Sequence, residues 1–420
     1  MQIFLTAWLA ITILTVMVWL VRHFQLSRAA RIMPPLESWM YAKDVAPLPT
    51  VSLLVAAKDE RTNIESCVRS LISQDYPALE VLAINDRSTD GTGAILDRVA
   101  KESPNLTAIH VQTLREGWFG KNNAMREGVA RSSGEWLCFT DADCVQTSRR
   151  SLRIAMNYAM EKGLDFLSVL PAHETGSFWE NVIQPACSGI MMIWFDPMKV
   201  NNPRRKTAYA NGAFMLMKRS CYEAIGGHEA VKRELNEDMH MARLAKEAGL
   251  RLAVASNVDL YTVRMYESFA QTVAGWSRIF YGCFGTLPRL AATGLAMLVF
   301  SLLPWLTLVS CAAALADGVW TSPTWPALCL AAAAACFVQW SVMHRFYRLC
   351  RLKPGYALLY PLGAAVGLWA VGGAIRRLGG RASITWRGTT YRGGQVDQTA
   401  EKLPASATAA EEQPLATVSK

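Results

Sequence analysis

Charge is scarce in this chain, and the scarcity is uneven. Only 18% of its 420 residues are charged while 51% are apolar, a balance unusual for a wholly soluble enzyme. Met1 to Val21 contains no charged side chain, and about 20 apolar residues suffice to cross a bilayer. A small-residue cleavage site is also lacking after that run, and its basic flank (Arg22, Arg28, Arg31) follows it instead of preceding it. A cleaved signal peptide has the opposite order, so the segment reads as a retained anchor with its N-terminus outside and its C-terminal flank in the cytoplasm. No basic motif interleaved with aromatics occurs, so the net charge of +9 argues for an anionic membrane surface and not for nucleic acid. The ten cysteines contain no CxxC pair, which excludes the usual zinc and disulfide spacings and leaves reduced, small apolar residues.

Three more apolar stretches come late. Leu290 to Ala316 is uncharged with one proline, Pro304; Trp325 to Met343 follows a polar break containing Asp317; Tyr356 to Ile375 is interrupted by Pro361 and glycines. Their length and succession predict membrane segments in place of buried core helices. The basic loop His344 to Lys353 belongs in the cytoplasm. A full crossing by the last segment would then put Arg376, Arg377, Arg381, Arg387 and Arg392 outside. A re-entrant or interfacial last segment avoids that conflict. The expected plan is an anchor at 1–21, a linker at 22–49, a cytoplasmic catalytic domain at 50–285, a membrane region of two to three segments at 286–376, and a basic tail at 377–420 that becomes disordered from about Gln395.

Between the anchor and the late segments the pattern alternates. Thr50 to Glu60 reads as a buried strand and polar turn, Asn63 to Leu71 as a helix, and Leu79 to Asp86 as a second strand. A helix at Gly93 to Lys101, a strand at Leu106 to Gln112, a helix at Asn123 to Ala130 and a strand at Glu135 to Asp143 follow. Such alternation predicts an α/β domain with a mainly parallel sheet, whose ligands sit at the carboxyl ends of the strands. Asp59 and Glu60, Asp86, and Asp141 with Asp143 all fall just after strands. Acidic turn residues are common singly, but carboxylates at three strand ends crowd and repel. A divalent cation with hard oxygen ligands, Mg²⁺ or Mn²⁺, together with a nucleotide diphosphate would relieve that repulsion.

At these residues the sequence resembles a family 2 glycosyltransferase of GT-A fold, over roughly Thr50 to Tyr281. "VSLLVAAKDE", "SQDYPALEVLAINDRSTDGT", "GWFGKNNA", "TDADC", "NGAFMLMKRSCYEAIGGHE" and "NEDMHMARLAKEAG" occur in the family's order. The GWxGK-like stretch and the tail "ITWRGTTY" (Ile384 to Tyr391) are similar to the membrane-bound lipid-modifying members that act on hopanoids, carotenoids and ceramides. The resemblance implies a GT-A domain with transmembrane helices at both ends.

It also implies roles. Asp143 ligates the metal, and Asp141 contacts the ribose or metal waters. Asp86 recognises the uracil ring, and Ala57, Asp59 and Glu60 border the nucleotide. Asp238, with Glu237 beside it, takes the proton from the acceptor hydroxyl in a single inverting displacement. Glu237 and Asp238 also suit the first turn of a helix capped by Asn236. Lys121 pairs with a diphosphate oxygen or is an exposed helix-start lysine; Asn211 and Gly212 form a tight turn on the acceptor side; His228 meets a loop carbonyl or the substrate. Ile190 to Val200 reads as an interfacial helix leading a lipid in. One departure is that processive members carry QxxRW, whereas "QTVAGWSRIFYG" places Trp276 before Arg278. That order disfavours polymer synthesis and leaves Trp276 and Arg278 to border the diphosphate or acceptor. The expected activity is non-processive transfer from a nucleotide-sugar donor, a UDP-sugar first, to a lipid acceptor in the inner (cytoplasmic) membrane. A polyprenyl-phosphate sugar transferase, a processive polysaccharide synthase and a non-catalytic membrane scaffold are the competitors. Oligomeric state is not legible.

Overall fold

The computed structural model describes residues 2–33, 35–318 and 320–378, and beyond them 384–386, 389–392 and 395–396. The expected disordered tail lies, but for its first two residues, outside the described residues.

Helix α1 (Gln2–Ile32) is one continuous element running eleven residues past Val21 into the expected linker. An alternating segment follows: β1 (Val51–Ala57), α2 (Ile64–Ile72), β2 (Leu79–Asp86), α3 (Thr92–Glu102), β3 (Leu106–Val111), α4 (Gly120–Val129) and β4 (Trp136–Asp141). Next come β5 (Cys144–Gln146), α5 (Ser151–Glu161), β6 (Phe166–Leu170), β7 (Ala172–His173), α6 (Phe178–Trp194), α7 (Pro197–Val200) and β8 (Met215–Lys218). Helices α8 (Arg219–Ala224), α9 (Gly227–Ala230) and α10 (Glu237–Glu247), strands β9 (Leu252–Ser256) and β10 (Tyr261–Val263) and helix α11 (Phe269–Phe284) complete this part.

The main sheet has strand order β3-β2-β1-β4-β8-β6-β9. All its pairings are parallel except those that β8 makes with β4 and β6. Burial explains the near-continuous apolar runs: Val51, Leu53 and Val55 pack on one face with Ile64, Val68 and Leu71 of α2, while Leu54 packs on the other with Met125 and Val129 of α4. A small second sheet, β5-β10-β7, lies beyond the β4 end.

The late helices are α12 (Leu287–Ala296), a π-helical turn (Met297–Leu302), α13 (Leu303–Ala316), α14 (Thr324–Leu349), a 3₁₀ stretch (Pro354–Leu359) and α15 (Tyr360–Leu378). Four segments are long and apolar enough to cross a membrane: Gln2–Ile32, Leu287–Ala316, Thr324–Leu349 and Pro354–Leu378. The π turn frees backbone carbonyls that need donors. Trp19 Nε1 donates to the Phe300 carbonyl at 2.7 Å, and Gln339 Nε2 to those of Phe300 and Ser301 at 3.1 and 3.2 Å. These bonds tie α1 and α14 to the broken helix. α15 packs on α6 and α11; Gly363 permits it, since a Cβ there would lie 2.3 Å from the Val182 carbonyl oxygen. One apolar cluster therefore runs from Ile183 and Phe280 through Met297 to Ala370, across the boundary expected at 285. Strands β11 (Ile384–Trp386), β12 (Thr389–Arg392) and β13 (Gln395–Val396) form a small antiparallel sheet over part of the tail motif.

Candidate active site

Strand register places the first part of the site. Ala57 lies opposite Asn85, and Ala56 opposite Asp141, across adjacent parallel strands. With neighbouring strands about 4.8 Å apart, Ala57, Asp86 and Asp141 share one rim. Asp86 is buried, and its carboxylate accepts from Arg87 Nε at 2.8 Å and Nη2 at 2.9 Å. Gly120 lets α4 close over it: a Cβ at that position would sit 2.5 Å from Asp86 Oδ2. Glu60 Oε2 accepts from Asn63 Nδ2 at 2.9 Å. Asp59, in the left-handed region at φ 52°, accepts the Thr89 amide at 2.8 Å.

The second part is assembled from β4, α4, the turn before β8 and the start of α10. Lys121 Nζ lies 2.7 Å from Asp141 Oδ1 and 2.6 Å from Glu237 Oε1, so it is neither an exposed helix-start lysine nor free. Gly212 donates its amide to Asp238 Oδ2 at 2.8 Å, and Met239 donates to Oδ1 at 2.7 Å. A Cβ on Gly212 would meet Lys121 Nζ at 3.1 Å and both Asp141 Oδ2 and Asp238 Oδ2 at 3.6 Å. The three side chains thus converge on one point that only glycine leaves open. Asn211 holds the turn, its Oδ1 accepting from the Ala213 amide at 3.0 Å. Asn236 occupies the N-cap position of α10 without a side-chain cap; its Nδ2 reaches Cys283 Sγ at 3.2 Å instead.

Electrostatics separates these groups. Burial, then the charge of Glu237, pushes the Asp238 carboxyl up to about 7, with Lys121 pulling the other way. Burial, then Asp141 and Glu60, pushes Asp143 to about 7 as well. Burial would lower the Lys121 ammonium, yet Asp141 and Glu237 hold it well above its usual value.

A single cavity of about 1020 Å³ joins the two parts. Ala57, Glu60, Asp86, Lys121, Asp141, Asp143, Asn211, Gly212, Glu237, Asp238, Trp276 and Arg278 all line it; of the residues singled out from sequence, Asp59 does not. His228 does not either: it is buried under Phe139, with Nδ1 2.9 Å from the Tyr222 hydroxyl. Apolar side chains line it as well, Leu26 of α1, Met191 and Met192 of α6, and Phe346 and Leu349 of α14. Many lining residues escaped the sequence reading, Gln184 and His173 among them. Gln184 on α6 is buried with both amide atoms unpartnered, and His173 Nδ1 and Trp276 Nε1 are buried without partners too. Only the spacing Gln184, Ser188, Met191 on one helical face could have hinted at Gln184.

Residues 52–226 match the model of the family described as glycosyl transferase family 2. Beta-monoglucosyldiacylglycerol synthase of Synechocystis sp. is 30% identical over 185 residues, 43% of this chain and 37% of that protein. The protein of the same description from Nostoc sp. is 30% identical over 191 residues, 44% of this chain and 40% of its own. The chain thus spans well under half the length of these relatives. Among solved structures, a mannosyltransferase from Pyrobaculum calidifontis in complex with GDP-Man and Mn²⁺ superposes with a TM-score of 0.52 at 21% identity, covering 86% of this chain and 99% of that one. That likeness shows the GT-A fold.

Proposed function

We propose that this chain, whose residues 52–226 match the family 2 glycosyl transferase model, is an enzyme that moves a sugar from a nucleotide-sugar to a hydroxyl of a membrane lipid, with inversion. The observation that carries this reading is the make-up of one cavity, lined both by carboxylates and by apolar side chains of α1, α6 and α14. Two of these helices, α1 and α14, are apolar enough to span a bilayer, and a soluble acceptor has no use for walls they supply. The relatives' names make a glucosyl donor and diacylglycerol the first pair to assay.

The donor's base and ribose occupy the Ala57, Asp86 and Asp141 rim, and the diphosphate lies towards Asp143 and Arg278. Among the described residues no group of three His, Cys, Asp or Glu side chains is spaced to hold a metal by itself. The residues still fit one that is shared with substrate. Asp143 is a half-buried carboxylate beside Asp141 and Glu60, a concentration of negative charge that a hard divalent ion relieves, and Mg²⁺ characteristically completes its shell with phosphate oxygens and water. When bound, Mg²⁺ or Mn²⁺ supplies charge neutralisation on the departing diphosphate. Asp238 takes the acceptor proton, its affinity raised towards neutrality by burial and Glu237. The amides of Gly212 and Met239 aim it, and Lys121 keeps Glu237 and Asp141 from repelling the incoming donor. The active site faces the cytoplasm from the inner membrane. α15, lying on the cavity helices α6 and α11, fits an interfacial or re-entrant segment that returns the basic tail to the same side.

The test is mass spectrometry of total lipids with and without the gene product, with purified full-length protein assayed for nucleoside diphosphate release. A lipid gaining one hexose that disappears in Asp143→Ala and Asp238→Asn supports the proposal. Full cellular function in both variants would establish a scaffold, and a product bearing a sugar on polyprenyl phosphate would establish that competitor.

A further inference from the structure

A second cavity, of about 260 Å³, lies between the C-terminal half of α1 and the segment that follows α6. Arg28, Lys199 and Arg205 face it together with one carboxylate, Asp196, and with Gln25 and Asn202. Asp196 already accepts the Met198 amide at 2.9 Å, closing the short turn into α7. Among the described residues the Arg28, Lys199 and Arg205 side chains make no ion pair or hydrogen bond. Arg204 and Lys206, both exposed, extend the charge along the same loop. Three exposed cations and one carboxylate around a small hollow leave it with a net positive charge that favours an anion.

The surroundings choose the anion. Phe24 on α1 and Ile193 and Trp194 at the end of α6 stand exposed beside the segments that form the cavity, at 69, 52 and 37%. α1 is apolar enough to span a bilayer, so its basic C-terminal end stands at a membrane surface. Exposed aromatic and aliphatic side chains beside Lys and Arg at that level match acyl chains attached to a negative headgroup. A soluble phosphate ester needs the cations and leaves the apolar rim in water. The hollow equals about nine water volumes at ~30 Å³ each, which accommodates a phosphate and its glycerol.

We propose that this cavity binds the headgroup of an anionic phospholipid. The wall it occupies has two faces. Phe195, Pro197, Leu26 and Ala29 line the large cavity, while their neighbours Asp196, Met198, Gln25 and Arg28 line this one. A headgroup held here orders the wall along which the lipid acceptor lies; that consequence, unlike the binding itself, rests on the function proposed above.

Native mass spectrometry of the full-length protein in detergent, titrated with phosphatidylglycerol or phosphatidylcholine, tests the binding without any need for turnover. Phosphatidylglycerol should be held at least about tenfold more tightly. Two lysine or arginine charges near a membrane surface are worth about 1 kcal/mol each, so Lys199→Gln with Arg205→Gln should weaken it about 10- to 30-fold. Arg204→Gln with Lys206→Gln removes equal charge outside the hollow and should change it by less than about threefold. Asp196→Asn, which retains an oxygen for the Met198 amide, should tighten it. Equal retention of the two lipids overturns the proposal. So does an unchanged Lys199/Arg205 variant, or equal weakening by both double variants, which would mean diffuse charge. Displacement by millimolar glycerol 3-phosphate would reassign the hollow to a soluble ester and overturn it too. The coupling is read separately as a raised acceptor KM in the Lys199/Arg205 variant, and an unchanged KM removes that part alone.

Discussion

The two halves of the strand-end rim carry the same residue type in opposite states. On the β1–β2 side, Asp86 is held by both arms of its neighbour Arg87, and Asp59 by the Thr89 amide. On the β4–α10 side, Asp143 and Asp238 are half-buried and pushed towards neutrality by desolvation and by other carboxylates. A carboxylate satisfied by its own chain is fixed in place and suited to recognising a ligand's shape. One that the chain leaves poorly compensated has an affinity for protons and cations still to be used. Crowding of acids along a rim therefore does not make them equivalent. Under the proposed function the first side recognises the donor and the second carries the chemistry.

The largest expected effect comes from that second side. Asp238→Asn keeps an acceptor for one amide and loses the base, and turnover should fall about 10²- to 10⁴-fold; Asp143→Ala should fall at least as far while both variants still fold. In the wild type the base must be ionised, and its affinity for a proton is raised. Rate should therefore climb as pH rises through about 7 and drop roughly tenfold per unit below that. A profile flat from pH 5.5 to 8 in kcat/KM would mean that Asp238 is not the proton acceptor.

Next in size is Lys121→Met, which removes the cation between Asp141 and Glu237. Glu237 is 5% exposed and Asp141 35%, so unpairing them should cost about 2 to 3 kcal/mol of stability after allowing for solvent at Asp141. Turnover should fall at least about tenfold, because the acid beside the base then repels the donor. Chemical denaturation alongside steady-state rates separates the two losses. A smaller and different change follows from Arg87→Gln. Asp86, at 1% exposure, loses its cation. Donor KM should rise several-fold with kcat nearly unchanged, and stability should fall by about 1 to 3 kcal/mol.

Much of this was legible in the sequence. Buried runs such as "VSLLVAA" and "LEVLAIND" fixed β1 and β2 to the residue or nearly so, because a parallel strand must be apolar on both faces. Gly212 and Asp238 could be named but not joined; their contact spans 26 positions and depends on how β8 and α10 fold back. The Lys121 pairings escaped for the same reason. Periodicity reports which face a residue takes and says nothing of its partner. Gln184 went unnoticed because a polar residue within an apolar helix looks like any other solvated position until burial shows it without a partner.

The smallest expected effect is the most exacting for the comparison. Asp59 shares its strand end with residues that line the cavity, yet it stands outside, with Oδ1 accepting the Thr89 amide. Asp59→Asn retains an acceptor oxygen for that amide, so stability should shift by no more than about 0.5 kcal/mol. Removing a charge that neither titrates a substrate nor touches the cavity should leave kcat/KM within about twofold, whatever the pH. Measured beside Asp143→Ala under identical metal and donor concentrations, it asks whether position along the rim or chemical state decides function. A loss in Asp59→Asn that matches the loss in Asp143→Ala would mean that all the strand-end acids act as one anionic field, and the division between a recognising side and a reacting side would have to be abandoned.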